Sequence, residues 1–207
     1  MKIIIMIIFI KTMICESINK TNSNILDIKK NELMFIPYVI YKYGDTNIAF
    51  IGVTSPEVMY NEENYEKFLD EDGSQLYYFF EDRTGESLYT QVQNAVDAAL
   101  AEGADKVILL SHLGVENVTS IWSSTSVIAN TSGIDGVIDG HSMEILESGL
   151  MNNKVGSFVP LVQAGHSYSN IGVMNITGDG YTYPAILSEK SVNEKNQEFQ
   201  SLIDEII

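Results

Sequence analysis

Basic residues are scarce in this chain: 12 Lys and Arg stand against 28 Asp and Glu in 207 residues, which leaves a formal charge of −16 and a pI near 4.4. That balance excludes binding to nucleic-acid backbones, which takes clustered Lys and Arg to neutralise phosphates. An anionic ligand would instead need a metal ion or backbone amides to hold it. Cysteine is nearly missing as well. Cys15 stands alone, so no internal disulfide can form and the fold is not a stapled secreted scaffold. Set in an apolar run, Cys15 reads as a small inert hydrophobe. Long apolar runs are also lacking. Residues 3–10 form an unbroken run of eight, well short of the roughly 20 that a membrane helix takes. Lys11 interrupts it and no small-x-small cleavage site follows, which makes a signal peptide doubtful against two alternatives, a buried strand or a misplaced start. No internal repeat or low-complexity segment occurs.

What is present is enough to fold. Apolar residues make up 45 % of the chain and aromatics 10 %, which supplies a core and argues against disorder despite the acidity. The polar, Asn-rich residues 18–31 read as a loop. Residues 35–43 alternate like a strand entered through Pro37, and residues 47–53 form the continuous apolar run of a strand buried on both faces. Residues 57–86 then break the pattern with ten acids against Lys67 and Arg83, so half of the net charge lies there, together with seven aromatics. They read as an inserted surface segment whose aromatics pack down while the acids face water. Within it, Asp70 to Glu81 loosely imitates a calcium loop, but Gln75 stands where the sixth-position glycine belongs. A hairpin turn at Asp72-Gly73 fits better.

Leu88, Val92, Val96, Ala99 and Leu100 recur at helical spacing, and Gly103 follows as a left-handed cap. A second buried-type strand at residues 106–111 closes a strand–helix–strand unit. A short helix at 124–130 and a third strand at 134–139 come next. Residues 158–163 and 170–176 read as antiparallel strands, and residues 193–207 as a terminal helix with one apolar side.

Two of the three histidines follow parallel-type strands directly: His112 after residues 106–111, and His141 after Asp139-Gly140. In open α/β sheets ligands lie beyond the carboxyl ends of strands. Neighbouring strands are about 4.8 Å apart, so both imidazoles can face one ion. A lone histidine at a strand end is otherwise an ordinary hydrogen-bonded loop residue.

The strings Leu109-Leu-Ser-His112-Leu-Gly114, Gly133-Ile-Asp-Gly-Val-Ile-Asp139-Gly140-His141-Ser142 and Val162-Gln-Ala-Gly165, with Asn170-Ile-Gly172 after them, carry a resemblance. So do Phe35-Ile-Pro-Tyr-Val-Ile40, Ile48-Ala-Phe-Ile-Gly-Val-Thr-Ser-Pro-Glu57 and Asn130-Thr-Ser-Gly-Ile-Asp135. In this order they resemble the second half of the metallophosphatase domain of the 5′-nucleotidase-type calcineurin-like metallophosphoesterases, over residues 35–186. The resemblance implies an α/β fold, here part of a four-layer α/β/β/α sandwich. It divides the chain into an apolar segment and polar loop (1–34), the half-domain itself (35–190, with the 57–86 insertion) and a linker helix (191–207).

It further implies two divalent metal ions (Mn, Zn, Mg, Ca or Co), with His112 and His141 as metal ligands and Asp139 orienting the loop that carries them. The implied substrate is a nucleotide, and the implied location extracellular, periplasmic or cell-wall associated, without a transmembrane helix. The Asn-x-Ser/Thr sites at Asn19, Asn117, Asn130 and Asn175 add little to that. The departures are as informative. Met143 stands where the family places a second ligand, and a thioether is a poor donor to hard or borderline divalent ions. His166 lies outside the motifs and reads as a surface residue. The family's first three motifs, Asp-x-His, Gly-Asp and Gly-Asn-His-Glu, do not stand ahead of Phe35. They would supply the bridging aspartate, further ligands and the transition-state histidine, so no catalytic residue is assigned to this stretch. Two expectations result. One is a truncated part of a nucleotide phosphohydrolase, inactive alone, whose partners are the missing N-terminal half and the nucleoside-gripping C-terminal domain. The other is a degenerate half-domain that serves as a binding or pairing module.

Overall fold

The computed structural model describes residues 3–7, 21–60, 65–167 and 169–188, the first of these as backbone only. Its centre is built by the apolar run after Gly44. Strand β5 (Thr46–Thr54) buries alternate side chains on both faces: Ala49, Ile51 and Val53 on one, Ile48 and Phe50 on the other. Helix α1 (Glu86–Ala101) packs Leu88, Val92, Ala95, Val96 and Ala99 against the first face. Ala95 takes the inward place that the spacing gives to Leu100, which is 41 % exposed. Gly103 ends the helix with φ +103°, and the Ala104 amide donates to the Ala99 carbonyl. The chain returns as β7 (Lys106–His112), parallel to β5.

Four more strands complete this sheet: β4 (Tyr38–Tyr43), β8 (Gly136–Asp139), β9 (Ile145–Asn152) and β10 (Phe158–Ala164). The order is β4-β5-β7-β8-β10-β9, with antiparallel strands at both edges. The short helix α2 (Ser124–Asn130) lies on the same side as α1, capped by Ser123, whose Oγ accepts from the Ser126 amide at 3.2 Å.

The opposite face packs on a second sheet of β1 (Ile3–Ile7), β11 (Asn170–Ile176) and β12 (Thr182–Ser188), in the order β1-β11-β12. Met174, Ile176 and Ile186 meet Ile48, Phe50, Ile108, Ile138 and Val162 there. The layers are therefore α/β/β, and a helical layer over the second sheet is not found among the described residues. The strands at 158–164 and 170–176 exist where the sequence puts them but belong to different sheets: β10 pairs with β8 and β9, β11 with β1 and β12. Part of the N-terminal apolar run is the strand β1. The stretch read as a loop holds a further strand, β2 (Ile25–Asp27), paired with β3 (Glu32–Leu33) and β6 (Tyr77–Phe79). Cys15, Asn19 and the terminal helix expected at 193–207 lie outside the described residues. Among the described residues no helix is long and apolar enough to cross a membrane.

The aromatic half of the 57–86 reading is visible in β6, where Phe79 is buried beside Ile25 and Met59 and meets Phe68 edge-on at 5.7 Å. The calcium-like loop is a tight turn. Gly73 has φ +80° and its amide donates to the Asp70 carbonyl, while Asp72 Oδ1 accepts from the Ser74 amide and hydroxyl. Not every acid faces water. Asp82 caps α1: its Oδ2 accepts from the Ser87 amide and its Oδ1 from the amide and hydroxyl of Thr84, each at 2.6 Å. Those bonds, the Thr84 hydroxyl first, hold its carboxyl far below the usual range. A carboxylate at a helix N-terminus also complements the helix dipole.

Asp82→Ala should therefore cost about 1 kcal/mol at pH 7. Because the native pKa is depressed, the stabilisation is full above the unfolded value near 4 and is lost progressively as pH falls from there toward the lower native value. Urea unfolding at pH 7 and at pH 3 checks both points. The gap between wild type and variant should shrink at the lower pH, and equal stability at pH 7 would refute the cap.

Candidate metal-ligand site at the strand ends

β5, β7 and β8 run parallel, and their carboxyl ends meet at one rim of the sheet. His112 is the last residue of β7, and His141 lies two residues beyond the end of β8. Their rings converge edge to face with centroids 4.9 Å apart and planes at 62°. Burial pushes the His112 imidazole down to about 4, and the neighbouring His141 adds to the shift. His112 is thus neutral at pH 7, as a ligand must be, and its ring has no hydrogen-bond partner among the described residues.

Asp139 lies beneath this pair, 2 % exposed. Its Oδ1 accepts from the amides of Leu113 and Gly114, each at 3.2 Å, which ties the loop after His112 to the end of β8. Burial raises its carboxyl to about 6, against the pull of the Gly140 amide and the Ser124 and Ser111 hydroxyls. Those two hydroxyls bond each other at 2.6 Å. Asp139 thus orients backbone, and no bond joins it to either imidazole.

The carboxylate that does touch an imidazole is Glu57, from the short 3-10 turn Pro56–Tyr60 that follows β5. Its Oε2 is 2.9 Å from His141 Nε2, and its Oε1 accepts from the Thr119 amide at 2.5 Å. Burial opposes its charge, but the bonds from Thr119 and His141 outweigh burial and hold the carboxyl below its ordinary range. Glu57 is half-buried rather than water-facing, so the reading of residues 57–86 fails at its first acid. Its place just beyond the carboxyl end of β5, the third parallel strand beside those of the histidines, is the signal in the sequence that marks Glu57.

Further bonds cross-link the two histidine loops. Ser142 Oγ accepts from the Val115 amide at 3.1 Å and also meets the Gln163 side chain. Asn117 Nδ2 donates to Glu144 Oε1 at 3.1 Å. Gly114, with φ +80°, lets the loops touch, because a Cβ there would stand 2.8 Å from Val118 Cγ1 and 3.0 Å from Ser142 Cβ. His141 itself has φ +81° and Met143 φ +64°. Such backbone costs of order 1–3 kcal/mol per residue and persists only where surrounding contacts over-determine it.

Two of the three histidines are brought together, and the third is not part of the set. His166 is exposed and bonds its neighbour Ser167 at 2.7 Å. Met143 is 62 % exposed. Two neutral imidazoles suit a divalent ion as two of its ligands. Among the described residues, however, no group of three His, Cys, Asp or Glu side chains is placed to hold a metal. The residues fit part of a coordination shell, not a complete dinuclear centre.

The fold as a whole is shared with solved structures. Calcineurin-like phosphoesterase YfkN from Bacillus subtilis superposes with a TM-score of 0.64 at 21 % identity, over 89 % of this chain and 60 % of that one. A 5′-nucleotidase precursor from Thermus thermophilus gives a TM-score of 0.62 at 20 % identity, over 89 % of this chain and 36 % of its own. This is the calcineurin-like phosphoesterase fold. No family model and no curated protein matches the sequence. A sulfate thiohydrolase, SoxB from Thermus thermophilus, has the same fold at a TM-score of 0.62 and 19 % identity, over 89 % of this chain and 31 % of its own. The phosphoesterase fold therefore does not choose between phosphorus and sulfur chemistry; the site must. The chain spans less than two thirds of each of these three structures.

Proposed function

We propose that this chain is part of a metal-dependent phosphoesterase of the 5′-nucleotidase type, in which His112 and His141 are two ligands of a divalent-cation centre. The observation that carries the reading is the convergence of the two imidazoles at the carboxyl ends of adjacent parallel strands, 4.9 Å apart. A divalent ion there (Mn, Zn, Mg, Ca or Co) would supply positive charge for a phosphate ester in a protein with too few basic side chains to do so. His112, kept neutral by burial, presents its lone pair. Asp139 fixes the loop behind it, and the cross-links between the loops hold the approach of the rings. The substrate class is a nucleotide phosphate ester. The remaining ligands and the nucleoside-gripping surface would come from outside the described residues, and the location follows the family in being extracellular, periplasmic or cell-wall associated.

Calorimetric titration of Mn²⁺ or Zn²⁺ into the full chain tests this. Loss of a ligand costs at least what loss of a supporting residue does, so His112→Ala should weaken binding by about tenfold or more. His166→Ala should leave it unchanged. Equal affinity in wild type and His112→Ala would overturn the assignment. One observation favours a second reading, a non-catalytic binding or pairing module: Met143, at the position where the resemblance implies a second ligand, presents an exposed thioether. Wild-type protein that binds neither ion would favour that alternative.

A further inference from the structure

Glu57 is joined to the site by two contacts, one through each carboxylate oxygen. An ionised carboxylate is acceptor only, so each oxygen needs a donor. Oε1 has one in the Thr119 backbone amide, and the group facing Oε2 is His141 Nε2, 2.9 Å away, which meets that need only when it carries a proton. The Thr119 amide cannot change its role. It therefore fixes how the Glu57 side chain is used, and the end of β5 is locked to the loop after His112. The Glu57 amide is held in turn by the buried hydroxyl of Ser55, at 3.2 Å.

We propose that Glu57 is a positioning residue that sets the tautomer of His141: it demands the proton on Nε2 and so leaves the Nδ1 lone pair as the ring's acceptor for a cation. This rests on the reading of His141 as a ligand only for the cation; the tautomer is inferred from the acceptor-only carboxylate of Glu57 set against Nε2. A ligating histidine commonly donates its other ring N–H to a carboxylate, which fixes the ring and raises its basicity. Here the carboxylate comes from the turn that follows a third strand, 84 residues away in sequence. His141 makes this contact from a left-handed backbone, φ +81°.

The isosteric variant Glu57→Gln separates this role from that of a simple clamp. Its amide oxygen must still accept from Thr119 N–H, so its NH₂ is turned toward His141 and donates to Nε2. Both bonds survive, but the proton on the ring moves to Nδ1 and the ligating lone pair is lost. ¹⁵N-imidazole NMR of the full-length, metal-free chain at pH 8 should show His141 protonated at Nε2 in wild type and at Nδ1 in Glu57→Gln, with amide spectra that report one fold. Zn²⁺ or Mn²⁺ affinity should fall about 10- to 100-fold in the same variant, while the melting temperature stays close to wild type. Wild-type His141 that carries its proton on Nδ1, or on both nitrogens, overturns the proposal even if the variant does not fold. An unchanged tautomer in Glu57→Gln overturns it too. A wild-type chain that shows the Nε2–H tautomer yet binds no metal would sink the ligand reading and leave the tautomer assignment standing.

Discussion

Asp139→Ala should cost about 2–4 kcal/mol and move the loop that follows His112. The side chain is 2 % exposed and serves two buried amides, those of Leu113 and Gly114. Removal of the carboxyl leaves both donors without a partner, at about 1–3 kcal/mol each. Part of that loss is returned, because burying the carboxyl is itself unfavourable, as its raised pKa of about 6 shows. The net figure is therefore below the simple sum. Asp139→Asn separates the two contributions. Its amide oxygen can still accept from both donors, so it should lose about 1 kcal/mol or less. Equilibrium unfolding of the three proteins in urea gives the ordering, and His112 ring shifts report the loop. Similar losses in Ala and Asn variants would mean that charge, not acceptance, is what Asp139 provides.

That role was only half legible in the sequence. Position told that Asp139 ends a buried strand beside a glycine and a histidine. Which groups its oxygens would meet depended on the pairing of β7 with β8, a contact between residues 26 apart. Elements with a strong period were readable. β5 and β7 show unbroken apolar runs, α1 shows helical spacing, and α2 lies where its short pattern put it, at Ser124–Asn130. The strands that escaped notice carry little signal of their own. β2, β3 and β6 are three residues or fewer. β9 is an edge strand with most side chains toward water, among them Ile145 and Leu150 at 65 % and 58 % exposure. Such strands exist because a neighbour offers hydrogen bonds, not because their residues demand them. The same reason hid the second sheet: β10 and β11 were visible as strands, but only tertiary packing assigns them to different layers. Glu57 escaped because it belongs by composition to an acidic surface stretch and by geometry to the histidines.

Purified chain in Mn²⁺ should hydrolyse neither AMP nor a chromogenic phosphodiester faster than a His112→Ala control. Hydrolysis of phosphate esters is among the slowest reactions in water, with enzymatic accelerations that reach about 10²¹-fold, and each tenfold takes about 1.36 kcal/mol of transition-state stabilisation. In two-metal phosphatases a pair of cations clamps the attacking and leaving oxygens. The described residues offer two imidazoles and no third side chain placed to complete even one ion's shell. The other ionisable groups of the site work against an anionic ester. Glu57 is held ionised by Thr119 and His141, His112 is neutral at working pH, and no cation-bearing Lys or Arg takes part in the contacts of these residues. A phosphate would meet negative charge with little to offset it. Metal binding and turnover therefore separate in this chain: the first should respond to His112→Ala and Glu57→Gln, the second should be absent in all three proteins. Turnover in wild type well above the His112→Ala control would show that the described residues are sufficient for chemistry, and would overturn the view of His112 and His141 as an incomplete ligand set.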